Sequence, residues 1–318
     1  MYPDLSYVFH DLFGTAPDNW ASIIKMFGFM MAIAILISSY FLGLEVKRQE
    51  SNGRLKPLKI TKDGKTSIVY PHEKVGDITI MAAVSGVIGA KIFALFESVD
   101  SIKMFIREPI QSLFSGSGLA IYGGLIVAFF AVTWYAKKFG FKTLDICDAT
   151  APALMLGYGI GRIGCQLSGD GDWGIVASSP KPSWFVFPDW LWSNTYPRNV
   201  AMEGVKIPDC VGKYCNELAQ GVYPTPVYET IFAFIIFGIL WSIRKKLKVA
   251  GQLFFVYCIL NGFERFFIEK IRVNDKFYFG DMALSQAEII ATLLFIGGLI
   301  GFYIVTKNSK KASNQIPA

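Results

Sequence analysis

The sequence predicts an all-α integral membrane protein with seven transmembrane helices. Of its 318 residues, 53% are hydrophobic and only 18% are charged, whereas a soluble domain carries about 25% charged residues. The mean hydropathy is +0.40. The apolar residues are concentrated in separate runs of roughly 17 residues or more, the length that a helix needs to cross a bilayer.

Seven apolar runs define the predicted spans. They cover residues 24–44, 75–96, 119–136, 149–168, 225–243, 251–269 and 284–305. The residues before the first run include three aspartates and lack the basic start of a signal peptide, so we expect this run to be retained as a span. The chain 1–318 is therefore predicted to form one polytopic domain, with a flexible cytoplasmic tail over residues 306–318.

The basic residues predict the orientation of these spans. Lysine and arginine are concentrated in residues 45–74, 137–142 and 244–248 and in the tail, segments that alternate along the chain. Because cytoplasmic loops carry an excess of basic residues, the N-terminus is predicted outside and the C-terminus in the cytoplasm. The same pattern explains the net charge of +6 without nucleic acid, which we do not expect as a partner.

The longest external segment, residues 169–224 between spans four and five, is predicted to form a cap. It contains four tryptophans, a residue that favours the membrane–water interface. The cap either rests on the lipid headgroups or acts as a lid for a substrate. Cys210 and Cys215 lie within this segment. In an oxidising compartment these two cysteines either form a disulfide or remain free thiols. No histidine is near them, so no metal site is predicted.

One arginine lies inside the fourth span. Arg162 belongs to the stretch Gly157–Gly174, which reads GYGIGRIGCQLSGDGDWG and ends in a turn rich in glycine and aspartate. A charged side chain at the centre of a membrane costs roughly 2.5–3.5 kcal/mol on insertion scales and usually has a function. The predicted orientation places Arg162 in the outer half of its span.

Other polar groups are predicted at the same depth as Arg162. They are Tyr122, Gly123, Tyr228, Glu229, Arg265, Glu269 and Arg272. Guanidinium groups bind phosphate through paired hydrogen bonds, so these arginines predict an anionic ligand. The alternative is pairing within the chain, of Arg162 with Asp170 or Asp172 and of Arg265 with Glu264 or Glu269. Glycines such as Gly123 and Gly164 permit close approach of a ligand or of a neighbouring helix.

Four motifs follow one another in a recognisable order. They are IYGGL at 121–125, GRIG at 161–164, YPTPVYE at 223–229 and FERFFIEKIR at 263–272. Together they resemble the bacterial prolipoprotein diacylglyceryl transferases, over about residues 20–305. The resemblance implies transfer of a diacylglyceryl group from phosphatidylglycerol to the lipobox cysteine of prolipoprotein signal peptides. A thioether forms and glycerol phosphate leaves, as the first step of lipoprotein maturation.

The resemblance also implies a location and site residues. The enzyme is expected to act as a monomer at the outer leaflet of the bacterial cytoplasmic (inner) membrane, without metal or cofactor. Arg162 corresponds to the family's signature arginine, which binds phosphatidylglycerol, and Arg265 to the second essential arginine, with Glu269 orienting an arginine. The expected lipid-binding positions also include Gly123, Gly164, Tyr228, Glu229 and Arg272.

Several positions depart from the family pattern. The family's histidine before Gly-Gly-Leu is Tyr122 here, and the other changed positions are Phe27, Cys165, Asp170 and Asn261. A tyrosine with its ordinary pKa of about 10 is a poor base at neutral pH. Two roles for Tyr122 therefore stay open: it orients the thiol, or it deprotonates the thiol if its pKa is lowered. Two alternatives are a catalytically inactive lipid- or lipoprotein-binding factor and an anion transporter.

Overall fold

The structure is a computed structural model that describes residues 1–62, 65–96, 99–109, 120–274, 276–279 and 282–314. Its regular structure is mostly helical. The helices are α1 (Leu5–Phe13), α2 (Met26–Ser51), α3 (Val75–Leu95), α4 (Val99–Arg107), α5 (Ile121–Lys138), α6 (Thr143–Ser168), α7 (Thr225–Ile243), α8 (Gln252–Glu269) and α9 (Gln286–Asn314). Three antiparallel hairpins pair β1 (Leu58–Lys62) with β2 (Lys65–Val69), β3 (Val205–Lys206) with β4 (Asn216–Glu217), and β5 (Lys276–Phe279) with β6 (Met282–Ser285).

Each of the seven predicted spans coincides with a helix. Among the described residues, four helical stretches are long and apolar enough to cross a membrane, namely Met26–Ser51, Pro71–Leu95, Thr225–Ile243 and Gln286–Lys310. This composition agrees with the predicted class of all-α membrane protein. The helices α6 and α8 are more polar because they carry buried charged residues. The count of seven spans, their orientation and the external cap stay predictions.

Several helix boundaries differ from the predicted ones. The helix α2 continues to Ser51, because glutamate, lysine and arginine extend a helix readily beyond an apolar run, and α6 begins at Thr143. The helix α9 continues to Asn314, so most of the predicted tail is helical, while residues 315–318 lie outside the described residues. The short helix α1 was not predicted; its N-cap is Asp4, whose side chain accepts a hydrogen bond from the Ser6 backbone N–H.

The chain divides into two compact units, Met1–Ser38 with Thr150–Ala318, and Ser39–Ala149. In the second unit α3 packs along α5. A Cβ atom on Gly123 would lie 2.8 Å from the Gly89 carbonyl oxygen, so this glycine permits the close approach of the two helices. Elsewhere in the same unit, the Arg54 guanidinium donates to Asp145 at 2.7 Å and to Asp148 at 2.8 Å.

In the first unit, the N-terminal segment contacts the 169–224 segment. The Tyr214 backbone N–H donates to the Tyr7 hydroxyl at 3.1 Å, and the Met1 ammonium group donates to the Pro197 carbonyl at 3.0 Å. Within the 169–224 segment the structure joins Cys210 to Cys215 by a disulfide, which is one of the two alternatives that the sequence left open. Most of this segment is irregular, so individual hydrogen bonds and the disulfide hold its backbone in place.

The backbone after α6 is held against the start of α7 and the end of α8. The Gly174 N–H donates to the Tyr223 carbonyl at 2.9 Å, and the Ile175 N–H donates to the Ile271 carbonyl at 2.8 Å. A Cβ atom on Gly174 would lie 2.6 Å from the Ile271 carbonyl oxygen and 2.9 Å from Cγ2 of Thr225. Only glycine permits this close contact, which places residues 172 and 272 near each other.

We expect Gly174→Ala to destabilise the protein by about 1–3 kcal/mol, since added volume in a packed region forces the backbone to shift. The measurement is thermal unfolding of purified protein in detergent. The matched control is Gly238→Ala in α7, where nothing lies within 4 Å of the added Cβ. Because alanine favours a helix over glycine by up to about 1 kcal/mol, this control should be at least as stable as the parent. Equal unfolding temperatures for the two variants would contradict the close contact.

Candidate functional site

Three arginines meet at the carboxylate of Glu229, a residue of α7 with 0% exposure. Arg162 of α6 donates from Nη2 to Oε1 at 3.1 Å, and its Nε lies 2.5 Å from Oε2. Arg272, three residues beyond α8, donates from Nη1 to Oε1 at 3.0 Å. Nη1 of Arg265 lies 3.7 Å from the same oxygen. The structure thus brings together Arg162, Glu229, Arg265 and Arg272, which the sequence placed at one depth.

Tyr158 is a further member of this cluster, and the sequence analysis missed it. Its hydroxyl donates to Oε2 of Glu229 at 2.5 Å. Tyr158 lies four residues before Arg162 on α6, so the two side chains share one face of the helix. That spacing was the signal that could have identified it.

The carboxylate of Asp172 bridges two of the arginines. Arg162 donates from Nη1 to Oδ2 at 2.5 Å, and Arg272 donates from Nη2 to Oδ1 at 2.6 Å. Burial raises the pKa of Asp172, but the two guanidiniums outweigh it and lower this pKa to about 2. Asp172 is therefore ionised at neutral pH. The sequence had left Asp172 open as a partner of Arg162; its second contact, with Arg272, was not predicted.

Arg265 pairs with Glu269, one turn further along α8, with Nη2 3.2 Å from Oε2. This is one of the two partners that the sequence left open for Arg265. Glu269 is buried and also accepts hydrogen bonds from the Ser285 hydroxyl at 2.9 Å and from the Asn274 amide. The Arg265 side chain is 24% exposed, compared with 8% for Arg162 and Arg272. Arg265 is thus the most accessible of the three guanidiniums.

The charges of the three arginines are balanced by the three carboxylates with which they pair, those of Asp172, Glu229 and Glu269, and the carboxylate of Asp170 lies beside Asp172. Pairing of this kind is required because an isolated buried charge is strongly unfavourable.

Glu264 stands apart from this balance. It is buried, and within the described ranges neither of its carboxyl oxygens has a hydrogen-bond partner. Glu264 interacts electrostatically with Glu229 and with the three arginines, but among the described residues it accepts no hydrogen bond from them.

Among the described residues, Cys165, Asp170 and Asp172 form a group whose geometry could hold a metal ion, with ligand atoms within 4.8 Å of one another. The arginines argue against a cation at this place. Both oxygens of Asp172 already accept from guanidiniums, and Nη1 of Arg162 donates to the Cys165 sulfur at 3.4 Å. A metal ion would therefore meet the positive charges of Arg162 and Arg272.

The other predicted site residues have structural contacts of their own. Tyr228 donates from its hydroxyl to the Leu191 carbonyl at 2.5 Å, which ties α7 to the 169–224 segment. A Cβ atom on Gly164 would lie 3.0 Å from Cβ of Met30, so this glycine permits packing of α6 on α2. Gly123 permits the packing of α5 described above. The backbone of Tyr122 is in α5, but its side chain lies outside the described residues. Roles of these residues in lipid binding stay predictions.

An apolar cavity of about 400 Å³ lies between α6, α7 and the 169–224 segment. Its lining includes Ile163 and Leu167 of α6, Val227 of α7 and Trp190 of the 169–224 segment. The described residues that line it include no member of the arginine cluster. The helices α6 and α7 thus carry both paired guanidiniums and apolar surface.

Sequence comparison assigns the chain to a family. The sequence model of the prolipoprotein diacylglyceryl transferases matches residues 20–304. The chain belongs to this family. The matched range contains all three arginines of the cluster and the three carboxylates that pair with them.

Curated relatives agree with this assignment. The chain is 28% identical over 301 residues to the phosphatidylglycerol–prolipoprotein diacylglyceryl transferase of Leptospira interrogans, which covers 86% of this chain and 77% of the relative. It is 27% identical over 295 residues to the protein of that name from Dehalococcoides mccartyi, covering 92% and 93%. The protein of that name from Staphylococcus haemolyticus is 29% identical over 301 residues, covering 93% and 88%.

The two buried glutamates are expected to respond differently to neutralisation. Glu229→Gln removes the charge that three arginines share, and breaking a buried ion pair costs about 3–5 kcal/mol. Glu264→Gln removes no hydrogen bond and relieves an uncompensated buried carboxyl, so stability should stay the same or rise. The measurement is unfolding of both variants in detergent, each compared with the parent chain. A larger loss for Glu264→Gln than for Glu229→Gln would contradict the contacts described here.

Proposed function

We propose that this chain transfers the diacylglyceryl group of phosphatidylglycerol to the lipobox cysteine of prolipoproteins. The observation that carries the proposal is the gathering of three arginines by the buried Glu229, in a chain of this family. The printed names of the curated relatives state the same activity. The enzyme is thus a transferase of lipoprotein biosynthesis.

The proposed reaction forms one bond and breaks one. The cysteine sulfur attacks the diacylglyceryl carbon next to the phosphate, a carbon–sulfur bond forms, and the carbon–oxygen bond breaks. Glycerol phosphate leaves with the electron pair, and the thiol proton passes to a base or to the released phosphate. The thiolate is the nucleophile, and negative charge grows on the phosphate oxygen, so fixed guanidiniums stabilise the transition state.

The proposed roles follow the positions of the side chains. Arg162 holds the phosphate near the buried end of the cluster. Arg265 is the most exposed guanidinium and has the longest contact with Glu229, so it is the one placed to meet the leaving charge. Glu269 orients Arg265. Tyr122 orients or deprotonates the thiol.

Lipid binding is proposed for a second group of residues. Arg272 and Glu229 complete the charged part of the site, Gly164 and Tyr228 belong to the helices that carry it, and a lipid-binding role of Gly123 rests on the family resemblance alone. The apolar cavity beside Ile163 and Val227 offers a surface for an acyl chain. Apolar signal-peptide residues are the other partner of the enzyme, and the bilayer brings both substrates to it.

The proposed setting is the outer leaflet of the bacterial cytoplasmic membrane. In this arrangement seven helices span the bilayer, the N-terminus and the 169–224 cap lie outside, and the C-terminus is cytoplasmic. The contacts of Tyr7 and Met1 with the 169–224 segment support placing both on the same side. We further propose that one chain suffices, because the arginines and carboxylates of the cluster all come from one unit of a single chain.

The activity is tested with purified protein in detergent, phosphatidylglycerol and a lipobox peptide. The parent chain should form thioether and glycerol phosphate in equal amounts. Arg265→Gln should lower kcat/KM by about 100-fold or more, as loss of a group that stabilises transition-state charge does. The control is Arg107→Gln, at an exposed arginine of α4. Full activity of Arg265→Gln would exclude the proposed role, and lipid binding by the parent without either product would exclude transfer itself.

The role of Tyr122 is tested by two substitutions. If its hydroxyl serves as the base, Tyr122→Phe should lower kcat by about 100-fold or more, the usual contribution of general base catalysis. Tyr122→His should keep activity and shift its pH dependence toward the histidine pKa of about 6.5. The readout is thioether formation between pH 5 and 9, values chosen to bracket that pKa. A fully active Tyr122→Phe variant would show that Tyr122 is not the base.

A further inference from the structure

We propose that the Asp172 carboxylate holds the place of the lipid phosphate between Arg162 and Arg272 and leaves it when the phosphate binds. The inference rests on the proposed function and deepens it, because it locates the phosphate and assigns a role to a residue outside the predicted site. Asp172 is thus a positioning residue that exchanges with the substrate.

The first argument is the geometry of the bridge. Oδ2 of Asp172 accepts from Nη1 of Arg162 at 2.5 Å, and Oδ1 accepts from Nη2 of Arg272 at 2.6 Å. One anion therefore joins two guanidiniums through two oxygens. A phosphodiester also presents two charged oxygens, and arginine binds carboxylate and phosphate in the same way. The two nitrogen atoms that face Asp172 form a site for either anion.

The second argument is that Asp172 can leave and Glu229 cannot. Glu229 lies within α7 with 0% exposure and receives hydrogen bonds from Tyr158, Arg162 and Arg272. The Asp172 side chain is 32% exposed and belongs to the irregular segment after α6. Its backbone stays anchored, because the Thr225 hydroxyl donates to the Asp172 carbonyl at 2.8 Å. Rotation of the side chain alone brings its carboxylate to water.

The third argument is the charge balance. Three arginines already pair with three carboxylates, and Asp170 lies beside Asp172, so an added phosphate would bring a further negative charge into a region of low dielectric, where like charges repel strongly. Movement of Asp172 into water offsets the charge that the phosphate adds. Since the pKa of Asp172 is about 2, protonation does not remove its charge at neutral pH. Asp172 therefore keeps the guanidiniums aligned before the lipid arrives, and the lipid phosphate then takes the place of its carboxylate.

The affinity for phosphatidylglycerol tests the exchange. We expect Asp172→Asn to lower both Kd and KM for phosphatidylglycerol in mixed micelles by about tenfold, since a charged competitor for two charge-assisted hydrogen bonds is removed. Asp172→Glu keeps the competing charge and should bind no more tightly than the parent. The matched control is Asp189→Asn in the same segment, at an exposed side chain, which should bind like the parent. Weaker binding by Asp172→Asn would overturn the inference.

A second measurement uses the parent chain and does not depend on a variant that folds. A water-soluble carbodiimide labels exposed carboxylates, and peptide mass spectrometry measures the labelling of Asp172. Phosphatidylglycerol should increase this labelling and leave that of Asp189 unchanged. Unchanged or decreased labelling of Asp172 would overturn the inference.

The two proposals fail in different ways. A parent chain that neither binds phosphatidylglycerol nor forms thioether would overturn the proposed function and this inference with it. A parent chain that transfers normally, together with an Asp172→Asn variant that binds the lipid less tightly, would overturn the inference alone.

Discussion

The carboxylate of Glu229 is the constraint on which the arrangement of the site depends. It receives Arg162 from α6, Arg272 from beyond α8 and the hydroxyl of Tyr158, and Arg265 lies within 4 Å. Three guanidiniums at a buried place repel one another unless a negative charge lies between them. Because Glu229 belongs to α7, this interaction fixes the positions of the polar ends of α6, α7 and α8 relative to one another.

The cluster is fixed on one side and adaptable on the other. Glu229 and Tyr158 belong to helices and are held by short hydrogen bonds. Asp172 lies on an irregular segment and Arg265 is the most exposed arginine. A site that binds a lipid phosphate and then releases glycerol phosphate needs both properties. Glu229 and Tyr158 hold the guanidiniums in position, so little rearrangement is needed during the reaction. Asp172 and Arg265 can move, which lets an anion enter and leave.

The helices were predictable because each depends on residues close together in sequence. Seven apolar runs predict α2, α3 and α5 to α9, and the spacing of four residues places Arg265 and Glu269 on one helix face. The helices α1 and α4 and the three hairpins were missed because they are short. Helix ends were also displaced where charged residues continue a helix, as in α2 and α9.

The site could be predicted only in part, because its decisive contacts are remote in sequence. Arg162 and Glu229 are 67 residues apart, and Arg272 and Glu229 are 43 residues apart. The sequence placed these residues at one depth but could not show which carboxylate each arginine contacts. The phosphate clamp of Arg162 and Arg265 stays a prediction, and the structure adds that Arg162 and Arg272 both contact Asp172. Glu264 was equally unpredictable: it is buried, and among the described residues its carboxyl oxygens have no hydrogen-bond partner.

The most direct test of the account is whether lipid phosphorus contacts the arginine cluster. Solid-state NMR on protein with ¹⁵N-labelled arginine, reconstituted in phosphatidylglycerol bilayers, measures the dipolar coupling between ³¹P and guanidinium nitrogens. We predict a coupling that corresponds to direct hydrogen bonding and that disappears in a variant that carries Arg162→Gln and Arg272→Gln together. Absence of this coupling in the parent chain, or its persistence in the variant, would contradict the claim that this cluster binds the phosphate.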